Sequence, residues 1–354
     1  MPIEPITVQE VYQQWLKMSA KKSTDILEKQ KEIIEHVYIS GLRAVYSLWG
    51  WNDFTTLTLA REKTLADYDV DQAIFEPLLS PLFPKATEIL FYTGNTLALR
   101  KLMKKTNKSI TEEIIEYIST VLQTMRIEMN EKQFQNETYV KFLPISDETS
   151  ITNNYNGTSS DTEQLTREDL KFSVKIFLRS LDPELLSHTI DTVLNQLKEN
   201  YLESVMISLP NLGVQIKLDD FLPLWRIIED YIDKQKILSA GVCDFMLPLL
   251  SDLYDSCNHK PYANQINLGV CCSIPEELNK YVKEHNIQLL THSDPIDIIN
   301  ETDFQEVIRK YCHEYDSINW KPLSIVRYNS VIKNRGIIKT KGFFIYAKRE
   351  LRMN

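Results

Sequence analysis

The chain has 354 residues, 43% apolar and 25% charged, with a formal net charge of -9. That length allows one large barrel or two ordinary domains of globular composition. The acidic, mixed charge argues against a general nucleic-acid binder, and no apolar run reaches the roughly 18–20 residues a bilayer span requires.

The N-terminus has no basic region followed by an apolar one, so no signal peptide is read there. The cysteines are Cys243, Cys257, Cys271, Cys272 and Cys312. An odd number without framework spacing suits a reducing compartment, and a cytoplasmic location is the expectation.

Residues 1–84 read as a helical extension of unassigned role. Ile26, Ile33, Ile34, Val37, Leu42, Val45 and Leu48 recur at roughly helical spacing, and the Pro-rich stretch Pro77 to Pro84 ends the pattern. From residue 85 short apolar runs alternate with amphipathic stretches. Ile89 to Tyr92 reads as a strand, and Ser109 with Glu112 makes a capping-box pattern before a helix from Ile110. Residues 146–168 are polar and read as a long loop.

Regular alternation follows. Phe172 to Phe177 is a strand. The next helix starts at Asp182, with Pro183 where a missing N–H costs little, and buries Leu186, Ile190, Val193, Leu194 and Leu197. Strands at 205–207, 237–242, 265–268 and 287–290 interleave with helices at 220–233, 247–255 and 275–284. A helix over 303–315 precedes the apolar run Leu323 to Val326. Such alternation implies parallel strands joined by crossovers. About eight units over about 250 residues fit a (β/α)8 TIM barrel better than an open doubly wound sheet. No G-x-G-x-x-G follows a strand, which lowers the odds of a dinucleotide-binding Rossmann unit.

Two long phrases carry a resemblance. One runs from Asn264 through Gly269, Cys271, Cys272 and Pro275 to Leu278, and on through Asn286 to His292 and Pro295. The other runs from Trp320-Lys321-Pro322-Leu323 through Arg327-Tyr328 to the segment Ser330 to Gly342. Both resemble the glutamate–cysteine ligase modifier (regulatory) subunit family, with weaker similarity back to Thr93-Gly94-Asn95. The resemblance implies a barrel of aldo-keto reductase type over 85–354 and a non-catalytic role. The partner it implies is the catalytic subunit of glutamate–cysteine ligase, bound as a heterodimer so as to raise its apparent glutamate affinity and relieve glutathione feedback inhibition.

The alternative is an NADP-dependent aldo-keto reductase acting on a small carbonyl. Such an enzyme would use a Tyr acid beside a Lys, an Asp and a His, the Lys lowering the phenol's pKa. Lys175 stands where the lysine would be. Ser208 replaces the histidine, and the Asp-Thr-Ala-x-x-Tyr-Gly motif is absent; Asp147 and Tyr155 have the wrong spacing. Gly241-Val242-Cys243-Asp244-Phe245 matches a reductase turn that faces nicotinamide, with Asp244 in place of Asn, and Gln265 matches a glutamine of the same cleft. Lys175, Ser208, Asp244 and Gln265 are therefore read as a vestigial cofactor cleft without tight NADP binding. His292 with Asp294 reads as a polar strand end. Cys257 and His259 lack a second ligand pair, so no zinc site is read.

Two features are candidates for partner contact. Cys271 and Cys272 precede a helix near Pro275, whose N-terminus would favour a thiolate, and the resemblance implies an intersubunit disulfide there. The segment 327–352 is strongly basic, with Arg335, Lys339 and Lys341 between strand-like apolar residues. A half-buried strand pair with a basic outer face is expected, able to steer an acidic partner.

Overall fold

The computed structural model describes residues 81–97, 109–128, 134–143, 165–210, 212–269 and 273–351. The strands are β1 (Glu88–Tyr92), β2 (Tyr139–Phe142), β3 (Leu170–Leu178), β4 (Ser204–Ser208), β5 (Ala240–Cys243), β6 (Ala263–Asn267), β7 (Gln288–His292), β8 (Lys321–Ile332) and β9 (Ile337–Lys348). The helices are α1 (Ile110–Glu128), α2 (Pro183–Leu197), α3 (Leu218–Asp233), α4 (Leu249–Ser256), α5 (Glu276–Glu284), α6 (Glu301–Tyr311) and α7 (Glu314–Ser317). The fold is α/β, as the alternation implies.

Nine strands form one sheet in the order β2-β1-β9-β8-β3-β4-β5-β6-β7. From β3 to β7 every pair is parallel, each strand leading through a helix to its neighbour. Between β1 and β3 sits the β8–β9 hairpin, antiparallel to both. Among the described residues no pairing joins β7 to β2, so ring closure is not seen there. The expected strand pair in the basic segment is this hairpin. The single helix expected over 303–315 is two, because Cys312 turns extended and the His313 Nδ1 accepts from the Tyr315 N–H to start α7.

Strand alternation divides the interior. Leu90, Val174, Ile176, Val205, Ile207, Val242 and Ile266 face α2 to α5, whose buried stripes complete the larger core. On the other face Ile89, Phe91, Phe177, Ile325, Phe343 and Ile345 pack with α1 and α6. The Asp182 side chain caps α2 by accepting from the Glu184 N–H, and Ser109 and Glu112 exchange the two bonds of a capping box at α1.

Of the extension, residues 1–80 lie outside the described residues. Pro81–Pro84 join the fold: Phe83 is buried against Trp320, and the Leu82 and Phe83 N–H groups donate to the Asp316 carboxylate. Most of the polar stretch near 146–168 is likewise outside. Its end, Thr166 to Asp169, is a capped turn with Arg167 bonded to Glu199 and Glu203. Among the described residues no helix is long and apolar enough to cross a membrane.

Candidate functional site

Strand alternation puts Lys175, Cys243 and Gln265 on the sheet face opposite the larger core, near the C-terminal ends of β3, β5 and β6. Lys175 Nζ donates to Gln265 Oε1 at 2.9 Å and to Asp294 Oδ2 at 2.7 Å. Arg327, opposite Lys175 on antiparallel β8, grips Asp294 with two bonds, at 2.5 and 3.2 Å. Asp294 also takes the Asn267 side-chain N–H on its main-chain oxygen at 2.9 Å. Burial would push its carboxyl upward. The bonds from His292 and Arg327 and the Lys175 charge outweigh that and hold it well below the usual carboxylate range.

Asp244 follows β5 in a left-handed conformation with φ of 60°. Its carboxylate accepts from the Asn267 N–H at 2.7 Å and pairs with His292 Nε2 at 3.1 Å. His292 is thus held between two carboxylates. Burial lowers its pKa, but the bonds to Asp244 and Asp294 raise it above the ordinary value on balance. The Cys243 thiol is pushed up to about 12 by burial, so it stays protonated and is a poor nucleophile. Gly241 is required by close approach: a Cβ there would lie 2.6 Å from the Ala263 carbonyl and 2.7 Å from Met206 Sδ.

Three of the four cleft residues named from sequence, Lys175, Asp244 and Gln265, therefore share one network. Ser208 does not join it. It sits opposite Phe177, two pairs beyond Lys175 and so on the same face, and lines a separate cleft of about 280 Å³ with Arg179, Asp297 and Lys321. Sequence reasoning took Asp294 for a polar strand end and Arg327 for part of a basic surface; the fold makes them the centre of the cluster. The spacing His292-x-Asp294 after a strand was the available signal. Asn264, fully buried and bonded to both main-chain polar groups of Phe245, gave none.

No tyrosine hydroxyl bonds Lys175 among the described residues. Tyr92 and Tyr328 lie on the opposite face, where burial raises both phenols. Among the described residues the Lys175 ammonium is committed to Asp294 and Gln265.

The three cations expected to face a partner fare differently. Arg335 is exposed in the β8–β9 turn, and Lys339 is half-buried. Lys341 requires correction as a bare surface charge: its Nζ donates to Glu113 Oε2 at 2.9 Å, tying β9 to α1. Cys271 and Cys272 lie outside the described residues.

No protein-family model matches the chain. The human glutamate–cysteine ligase regulatory subunit is 31% identical over 271 residues, 76% of this chain and 95% of its own length. The chain belongs to the glutamate–cysteine ligase regulatory subunit family. The regulatory subunit from Rattus norvegicus is 30% identical over 272 residues, covering 76% of this chain and 96% of its own. These relatives are named as regulatory subunits, not as catalysts. Among solved structures, an aldo/keto reductase from Brucella melitensis matches at 23% identity over 37% of this chain and 49% of its own, with a TM-score of 0.32.

Proposed function

We propose that this chain is the regulatory subunit of a glutamate–cysteine ligase, binding the catalytic subunit as a heterodimer. The observation that carries this reading is the identity with the human regulatory subunit along nearly its whole length. The catalytic subunit would bind ATP, Mg²⁺, glutamate and cysteine. This chain would raise its apparent glutamate affinity and weaken inhibition by glutathione. It can do so only by binding one conformation of its partner more tightly than another, since equal binding shifts nothing.

The Lys175 network is read as a structural remnant of a reductase-type cleft. Asp244 offers acceptor oxygens where an amide donor would meet a nicotinamide, and those oxygens are already taken by Asn267 and His292. The groups present do not fit a tightly held nicotinamide nucleotide, and no hydride step is assigned. The reductase alternative is further disfavoured by Ser208 and by the commitment of Lys175 to Asp294.

The test is the glutamate KM of purified catalytic subunit, with and without the chain, at fixed glutathione. A lower KM with weaker inhibition is the expected result. Binding without a kinetic change would leave a scaffold, and no binding would sink the reading. An intersubunit disulfide through Cys271 or Cys272 is part of the same proposal. Cys271→Ser with Cys272→Ser should abolish any oxidant-dependent crosslink to the catalytic subunit, and a crosslink that survives would remove those thiols from the account.

A further inference from the structure

The ends of β3 and β4, the start of β8 and the start of α6 enclose the cleft of about 280 Å³ that Ser208 lines. Its walls follow from the topology. The Arg179 N–H donates to the Leu323 carbonyl at 3.0 Å, which holds the end of β3 beside the start of β8. The Gln305 side chain donates to the Trp320 carbonyl at 2.9 Å, which holds α6 against the residue before β8. Glu301 stands four residues before Gln305 on α6 and so on the same helix face; it lines the cleft together with Lys321. Leu209, Pro210 and Leu323 give the cleft apolar surface, and Ile296, 65% exposed, adds more. An apolar lining with a few polar groups is the ordinary make-up of a small-molecule site, and this volume lies at the lower end of the roughly 300–1,000 Å³ such sites occupy.

Four charged side chains line the cleft. Two satisfy each other: Arg179 donates to Asp297 at 2.5 Å. The other two are unengaged. Among the described residues, the Lys321 ammonium and the Glu301 carboxylate make no ion pair or hydrogen bond, with each other or with any other group, and the Ser208 hydroxyl makes no hydrogen bond. The neighbouring Lys175 cluster differs in this respect, since its charges are all matched within the chain. A simple anion drawn to Lys321 would meet the Glu301 carboxylate in the same cleft, and a simple cation drawn to Glu301 would meet Lys321. A molecule that carries both charges satisfies both walls at once.

We propose that this cleft binds a small zwitterion with an apolar portion, an amino acid or a short peptide. Its carboxylate pairs with the Lys321 ammonium, and its own ammonium pairs with the Glu301 carboxylate. Its apolar part covers Leu209, Leu323 and Ile296. The Ser208 hydroxyl is available to either charged end, as donor or acceptor. The site is separate from the Lys175 cluster and goes beyond the regulatory reading, so it is tested on the chain alone, without a catalytic subunit.

The experiment is ligand-observed saturation-transfer NMR of the full chain with L-leucine and with L-alanyl-L-leucine, whose two charges lie farther apart. Isocaproate and isoamylamine each keep the apolar part and one of the charges. Binding of at least one zwitterion in about the millimolar range is expected, with each single-charge probe about threefold to tenfold weaker. Tighter binding of L-leucine assigns the site to amino acids, and tighter binding of the dipeptide assigns it to short peptides. Lys321→Met and Glu301→Gln should each weaken the zwitterion by about the same factor. Both side chains are exposed, so melting temperatures read in parallel should stay close to wild type. No saturation transfer to either zwitterion overturns the proposal. Single-charge probes that bind as well as the zwitterions, or zwitterion binding that survives both substitutions, overturn it too and leave Lys321 and Glu301 as solvated surface charges.

Discussion

Lys175 and Asp294 meet at 2.7 Å across 119 residues of chain, with both side chains 6% exposed. Arg327 closes on the same carboxylate, so one anion serves two cations. Asp294→Asn would leave Lys175 and Arg327 facing each other without compensation. Removing one member of a buried ion pair costs about 3–5 kcal/mol, and a fall of that order in unfolding free energy is expected on urea titration. Replacing Lys175 by Met together with Asp294 by Leu should recover part of the loss, because two buried desolvation penalties vanish. An unshifted midpoint for Asp294→Asn would show that the cluster is solvated and contributes little.

His292 adds a pH dependence of defined sign. Its folded pKa lies above the ordinary 6.5, held up by Asp244 and Asp294 against burial and the nearby Lys175 charge. The stabilisation is therefore fully present below pH 6.5 and is lost as pH rises through the folded value. His188 works the other way, since burial lowers its pKa. The clean readout is thus the difference between wild type and His292→Gln. The wild-type advantage should be largest below pH 6.5 and shrink above it. Asp294, depressed by the same network, acts in a separate window: its contribution is present above the ordinary carboxylate pKa and is lost as pH falls further. A wild-type advantage that grows between neutral and alkaline pH would refute the assignment for His292.

Much of the parallel half was legible in the chain, because β3 to β7 are short apolar runs separated by amphipathic helices with local caps. Asp182 and Ser109 needed only their near neighbours to be read. β2 escaped because four residues, Tyr139–Phe142, give too short a pattern. The insertion of β8 and β9 between β1 and β3 escaped because an apolar run does not announce its partner. The same limit hid the cluster: Lys175, Asp294 and Arg327 come from three distant segments, and the antiparallel register of β8 decides that Arg327 points inward rather than to solvent.

Arg349 shows how a basic run can be structural. It is 5% exposed, donates to the carbonyls of Phe83, Ala86, Tyr315 and Asp316, and lies 4.7 Å from the Trp320 ring centroid. These bonds tie Pro81–Pro84 and α7 to the end of β9. A lysine has one ammonium and no planar fork, so it cannot reach all four carbonyls. Arg349→Lys should therefore destabilise by about 2–3 kcal/mol, through buried acceptors left unpaired. Hydrogen exchange should show the loosening at Leu82 and Phe83, whose N–H groups bond Asp316. Exchange at those amides unchanged from wild type would separate Arg349 from the docking of this segment.

Arg335 isolates steering from packing. It is exposed in the turn between β8 and β9; reversal of Lys341 would break the bond to Glu113 and loosen α1. Under the partner reading, Arg335→Glu should slow association with the catalytic subunit by about threefold to tenfold at low salt, with dissociation changed less. Charges acting across solvent are screened beyond about 8–10 Å at ordinary ionic strength. The two rates should therefore converge as salt is raised, which a loss of packing would not do. Stopped-flow or surface-based kinetics over a salt series reads this directly. Equal association rates at every salt concentration would remove the hairpin charge from the encounter.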